Sequence, residues 1–234
     1  MPATTQFVIT CEHGGNRIPR QYQPLFRGFE HLLRSHRGYD RGALRMAKEL
    51  AQALSASLFV STTSRLLIDL NRSIGHPRLF SEATKGAPKS IRHEILGRYY
   101  LPYRNQVEGA IAEAARQGRR VIHIAAHSFT PVLDGQVRHA DIGLLYDPAR
   151  AGERTLCCRW QASLKTKTLE LIIRRNYPYA GKADGLTAYL RRQFSAAAYV
   201  GIELEINQKH VVSGGRRWQI LRQLLLEALY EIIE

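Results

Sequence analysis

Short apolar runs alternate along this chain with stretches whose apolar residues recur every three to four positions. Residues 7–11 (FVITC) open on the apolar run Phe7-Val8-Ile9 and read as a buried strand. Residues 41–55 (RGALRMAKELAQALS) place Leu44, Ala47, Leu50, Ala51 and Leu54 on one helical face, with Asp40 just before them where an N-cap belongs. Residues 58–62 form a second strand candidate, and 66–70 a short apolar segment that runs into Asp-Leu-Asn-Arg. Residues 74–89 are punctuated by Pro and Gly and read as a long loop. A helix is expected over 91–117 with a break near Pro102, and a β-branched strand over 120–126 (RVIHIAA). Further strands are expected at 142–146 and 199–206 (YVGIELEI), and helices at 155–175 and 217–232.

Strands separated by helices predict an α/β fold built on a mostly parallel sheet. No repeat or linker divides the 234 residues, so one domain over 1–234 is expected. Apolar content of 44% with 23% charged residues excludes a disordered chain. No apolar run approaches the roughly 18 residues of a membrane span. The opening MPATTQFVIT lacks the basic and apolar regions of a signal peptide. The cysteines are Cys11, Cys157 and Cys158, two of them adjacent. They make no disulfide framework, and a reducing cytoplasm is the expectation. Cys11, inside an apolar strand, reads as a packing thiol. The charge is unusual: 34 basic against 20 acidic residues give +14, a field that attracts anions. The cations are scattered, and no zinc-finger, RNA-recognition or helix-turn-helix signature accompanies them.

In parallel sheets ligands bind beyond the carboxyl ends of the strands. Glu12 and His13 follow the first strand, and Asp69, Asn71 and Arg72 follow the 66–68 segment. His127 and Ser128 follow the third strand, and Glu203 and Glu205 share one face of the 199–206 strand. Two imidazoles and a carboxylate are a common zinc set. Arginine beside asparagine suits a substrate carboxylate. Each residue also has a plain structural use: a strand-end histidine hydrogen-bonded in the core, an aspartate bracing a turn, a Gly14-Gly15 turn. Two acids on a strand buried on both faces nevertheless need partners, which favours a site.

The segments CEHGGNRIP, HRGYDRGA, DLNRS, AAHSFTP and GIELEIN, in that order, resemble the N-formylglutamate amidohydrolase family. NYPYAGKADGLTAYLR (176–191) does so too, and the resemblance reaches from the first strand to about Asn207. That family is similar to the zinc carboxypeptidase and aspartoacylase group. The resemblance implies a three-layer α/β/α fold with a mostly parallel or mixed sheet, a zinc ion or other divalent metal, and a small carboxylate substrate. It implies His13 and His127 as metal histidines, and Asn71 with Arg72 as the holders of the substrate carboxylate. It implies Glu205 as the glutamate that activates the attacking water, with Arg72 beside it in the catalytic set. Glu203 is the fallback for Glu205 and a further substrate contact. Gly14 and Gly15 would then keep the backbone clear of ion and substrate. One departure stands out. The related peptidases carry a glutamate ligand three residues after the first histidine, where this chain has Asn16. Asp40 is the first choice for the missing carboxylate and Glu12 the second.

The expected activity is metal-dependent hydrolysis of an N-acyl amino acid amide such as that of N-formylglutamate. A carboxypeptidase-like peptidase and a non-catalytic basic anion- or nucleic-acid-binding protein on the same fold are the alternatives.

Overall fold

The computed structural model describes residues 4–233. Its centre is a six-stranded sheet in the order β2-β1-β3-β8-β6-β7. The strands are β1 (Thr5–Cys11), β2 (Ser57–Val60), β3 (Arg120–Phe129), β6 (Ile142–Leu145), β7 (Ile173–Arg175) and β8 (Tyr199–Asn207). Pairings are parallel except β6 on β8, which is antiparallel. A small hairpin of β4 (Val132–Leu133) and β5 (Gln136–Val137) follows β3. It turns at Asp134-Gly135, both at positive φ, the dipeptide that a two-residue hairpin favours.

Helices cover both faces, giving three layers. The helices α2 (Ala43–Ala53), α5 (Ala151–Lys167) and α8 (Gly215–Ile233) bury Met46, Leu50, Trp160, Leu164 and Leu225 against one face. On the other, α4 (Leu101–Arg116) and α6 (Leu186–Gln193) bury Tyr103, Val107, Ile111, Leu186 and Leu190. Each such aliphatic side chain removed from water contributes about 1.5–3 kcal/mol. Short helices α1 (Glu30–Leu33), α3 (Lys89–Ile95) and α7 (Gln208–Ser213) fill the connections. No helix among the described residues is long and apolar enough to cross a membrane.

Four local expectations change. The 91–117 helix does not break at Pro102. Instead α3 runs through a π-helical turn, Leu96–Tyr100, into α4, which accommodates the missing proline N–H. The 155–175 helix stops at Lys167, and Ile173–Arg175 becomes the edge strand β7 beside β6. The apolar segment 66–68, grouped with the strands for the polar residues that follow it, is buried in a turn. Asp40 does not cap α2. Gly42, at φ 84°, takes the N-cap without a side-chain bond, and Asp40 is engaged elsewhere.

Alternation along the strands sorts the chemistry. Ile9 and Cys11 of β1, Ile122, Ile124 and Ala126 of β3, and Ile202 and Leu204 of β8 face α2, α5 and α8. Thr10, His123, His127, Glu203 and Glu205 occupy the intervening positions, on the α4–α6 side.

Candidate metal centre

β1 ends at Cys11, and the chain turns at once so that Glu12 and His13 lie at the carboxyl edge of the sheet, both buried. The turn is held by Gly14 N–H donating to Ser61 O (2.9 Å). A Cβ on Gly15 would lie 2.6 Å from Thr62 O. These glycines therefore admit the loop after β2, not an ion or a substrate. The Asp40 N–H donates to His13 O (2.9 Å), bringing the 36–42 loop over the same edge. β3 runs through His127 to Phe129, so His127 sits in the strand, directly beside Glu205 of β8.

Three atoms converge. Asp40 Oδ2 lies 2.9 Å from His127 Nδ1 and 3.3 Å from His13 Nδ1. A ligand atom from each residue lies within 4.8 Å of the others, and all three residues are buried. The far side of each ring is also held. His13 Nε2 is 2.7 Å from Asp69 Oδ1, and His127 Nε2 is 3.0 Å from Glu12 Oε2, the latter contact outside hydrogen-bond alignment. Asp69 Oδ2 in turn accepts from Arg65 Nη2 (2.6 Å), and Arg65 Nη1 stands 3.6 Å from Asp40 Oδ1. Tyr103 donates its hydroxyl proton to Glu12 Oε1 (2.9 Å). Carboxylates behind imidazoles fix the ring orientation and the tautomer in which Nδ1 is the free base.

The electrostatics fit a cation. Burial opposes ionisation of Asp40, yet the charges and hydrogen bonds of His13 and His127 hold its carboxyl well below the usual range. Burial likewise opposes Asp69, and Arg65 and His13 bring it down. For Glu12, burial is outweighed by His127, Thr10 and His123, and the carboxyl falls to about 2. Burial would lower His127, but Asp40 and Glu12 raise it well above its ordinary value. With each Nε2 side assigned to a carboxylate, two imidazole lone pairs and a carboxylate oxygen would face one another. That arrangement is stable only with a proton or a metal ion between them. The donor set, two nitrogens and one oxygen, is one that zinc takes with a fourth position left open.

Glu205 lies on the rim of this cluster. It is buried, its Oε2 has no hydrogen-bond partner among the described residues, and burial pushes its carboxyl up to about 8. Glu203, two residues earlier, accepts from Thr187 Oγ1 (2.6 Å). Of the two acids, Glu205 is therefore the uncommitted one. Asn71 Oδ1 accepts from Leu186 N–H (2.6 Å), and Arg72 Nη1 donates to Asp184 O (2.5 Å). Asn16 is turned away, donating from Nδ2 to Leu33 O (3.0 Å), and the oxygen between the histidines comes from Asp40. The sequence offered Asp69 only as a polar residue after the 66–68 segment or a turn brace, Glu12 only as a ligand, and gave no role to Arg65 or Asp184. Asp69 could have been found, since it is the first residue of the DLNR motif itself.

The family model for N-formylglutamate amidohydrolase matches residues 5–212, a span that contains all of these residues. The chain belongs to the N-formylglutamate amidohydrolase family. A gene product of Agrobacterium tumefaciens is similar at 30% identity and TM-score 0.80, covering 99% of this chain and 93% of its own. An N-formylglutamate amidohydrolase from Ralstonia eutropha JMP134 shares the fold at TM-score 0.69 and 18% identity, covering 98% of this chain and 93% of its own. No curated protein matches the sequence. In this member of the amidohydrolase family, the buried His13, Asp40 and His127 suggest a metal ion.

Proposed function

We propose that this protein is a zinc-dependent amidohydrolase that cleaves the amide bond of an N-acyl amino acid such as N-formylglutamate. One observation carries the reading: His13 Nδ1, Asp40 Oδ2 and His127 Nδ1 converge beside a buried carboxyl, Glu205, whose Oε2 has no hydrogen-bond partner among the described residues. His13, Asp40 and His127 would hold the ion. When bound, it supplies Lewis-acid polarisation of the amide carbonyl and acidification of water. Asp69 and Glu12 keep the two imidazoles turned toward it.

The chain's own residues do the rest. Water attacks the acyl carbon as Glu205 takes its proton at a carboxylate oxygen. The C–N bond then breaks, and Glu205 returns that proton to the departing amine nitrogen. For N-formylglutamate the products are formate and glutamate. Burial raises the Glu205 carboxyl with no ion beside it; a cation held by His13, Asp40 and His127 would draw it back down, toward the range of a group that both takes and returns a proton near neutral pH. Arg72 and Asn71 hold the substrate carboxylate, and the +14 net charge favours the approach of an anionic substrate to the protein.

Stripping the protein with a chelator should abolish hydrolysis of N-formylglutamate, and added Zn2+ should restore it. Full activity after chelation, or in His13→Ala, would refute the proposal. Assaying short peptides alongside separates an acyl-amino-acid hydrolase from a carboxypeptidase.

A further inference from the structure

Two segments far apart in sequence are knitted together beside the cluster: Asp69–Ser73, which carries Asn71 and Arg72, and Lys182–Thr187. Asp184 is the centre of this clasp. Its Oδ2 accepts from Ser73 N–H (3.0 Å) and its Oδ1 from Ser73 Oγ–H (2.5 Å), while its own carbonyl accepts from Arg72 Nη1 (2.5 Å). Beyond it, α6 begins. The Leu186 N–H, one of the donors that a helix start leaves without an internal partner, goes to Asn71 Oδ1 (2.6 Å). Gly185 makes the approach possible, since a Cβ there would lie 3.0 Å from Asn71 Oδ1 and 3.2 Å from Glu203 Oε1.

These bonds set the polarity of the pair. Because the Asn71 oxygen must meet the Leu186 N–H, its Nδ2 is left as the outward donor. Because Arg72 commits Nη1 to a carbonyl, its guanidinium plane is fixed and its other N–H groups remain for an anion. Both Asp184 oxygens are engaged by Ser73, so the aspartate braces the backbone of the motif and does not compete for the guanidinium.

We infer that Asp184 is a positioning residue for substrate-carboxylate recognition: by tying Ser73 and Arg72 to the start of α6, it pre-orients Asn71 and Arg72. This rests on the proposed role of that pair in the hydrolysis of N-formylglutamate. A positioned charge-assisted contact of about 1.4 kcal/mol corresponds to a tenfold change. Asp184→Ala should therefore raise KM for N-formylglutamate about tenfold with kcat within about twofold. Asp184→Asn keeps one acceptor for Ser73 and should show a smaller rise. Calorimetric titration with glutamate, the product, should weaken in the same order without any turnover.

The two monoamides of N-formylglutamate, each lacking one carboxylate, give the readout that a merely structural role would not move. With the monoamide that lacks the carboxylate held by Arg72, wild type and Asp184→Ala should have equal KM. An unchanged KM for N-formylglutamate in Asp184→Ala overturns the inference and leaves the hydrolase reading intact. So does an equal rise on all three substrates, or a joint fall of kcat and melting temperature. A wild-type protein with no turnover of N-formylglutamate overturns both.

Discussion

His123 and His127 lie four residues apart on β3, on the same face, and both are buried. Their surroundings set them apart. His123 bridges Thr10 Oγ1 (2.8 Å) and Tyr199 OH (2.7 Å). Burial among these neutral hydroxyls pushes its imidazole down to about 4. His127 stands between two ionised carboxylates, which raise it. The first is a core histidine that closes a hydrogen-bond chain across three strands. The second is one of the three buried residues that suggest a metal ion. Residue type, strand and depth are shared, so none of them identifies a ligand; the charge of the neighbours does.

The contrast can be broken most severely at His127. His127→Ala should abolish turnover of N-formylglutamate and cut metal affinity by more than the ~10–100-fold that outer partners are worth, measured by competition with a chromophoric chelator. Metal bound as tightly as in wild type would place His127 with His123. Glu205→Gln should separate chemistry from the ion: kcat falls by about 10²–10⁴, while metal content by mass spectrometry stays at the wild-type level. An undiminished kcat would move the proton-transfer role elsewhere. Glu12→Gln and Asp69→Asn test the outer carboxylates. Each should weaken zinc binding by ~10–100-fold in the same chelator competition, and equal affinity in both variants and wild type would reduce these residues to turn braces.

The smallest effect belongs to His123. Its folded pKa lies near 4, below the ordinary 6.5, so between those values the unfolded chain binds the extra proton. Stability should therefore fall as pH drops through that window, by up to ~1.4 kcal/mol per unit. Denaturant titrations of His123→Gln should show that slope flattened, with about 1–3 kcal/mol lost at neutral pH from poorer pairing of Thr10 and Tyr199. A slope unchanged by the substitution would mean that His123 is not the group responsible.

How much of this was legible in the sequence depends on whether the signal was local. β1, β3 and β8 announced themselves as apolar runs, and the motifs at their carboxyl ends put His13, His127 and Glu205 in one place. The alternation of strands and helices gave an α/β fold on a mostly parallel sheet, and the family resemblance implied its three layers. What depended on distant pairing did not show. β7 is a three-residue edge strand, held by β6, and nothing in residues 168–175 distinguishes it from the end of a helix. Residues 66–68 are apolar because the core covers them, not because they are extended. Asp40 has the position of an N-cap, and tertiary contacts with two histidines override it. The role of Asp184 is defined by neighbours across the fold, since Arg72 meets it from 112 positions away.

Metal stoichiometry tests the difference between the two histidines of one strand most directly. Wild type, His123→Gln and His127→Ala would be stripped with a chelator, incubated with Zn2+, freed of excess ion by gel filtration and assayed by inductively coupled plasma mass spectrometry. The expected result is about one tightly held ion per chain, as at a single three-ligand site, in wild type and His123→Gln and almost none in His127→Ala. Equal zinc in all three proteins, or none in wild type, would contradict it.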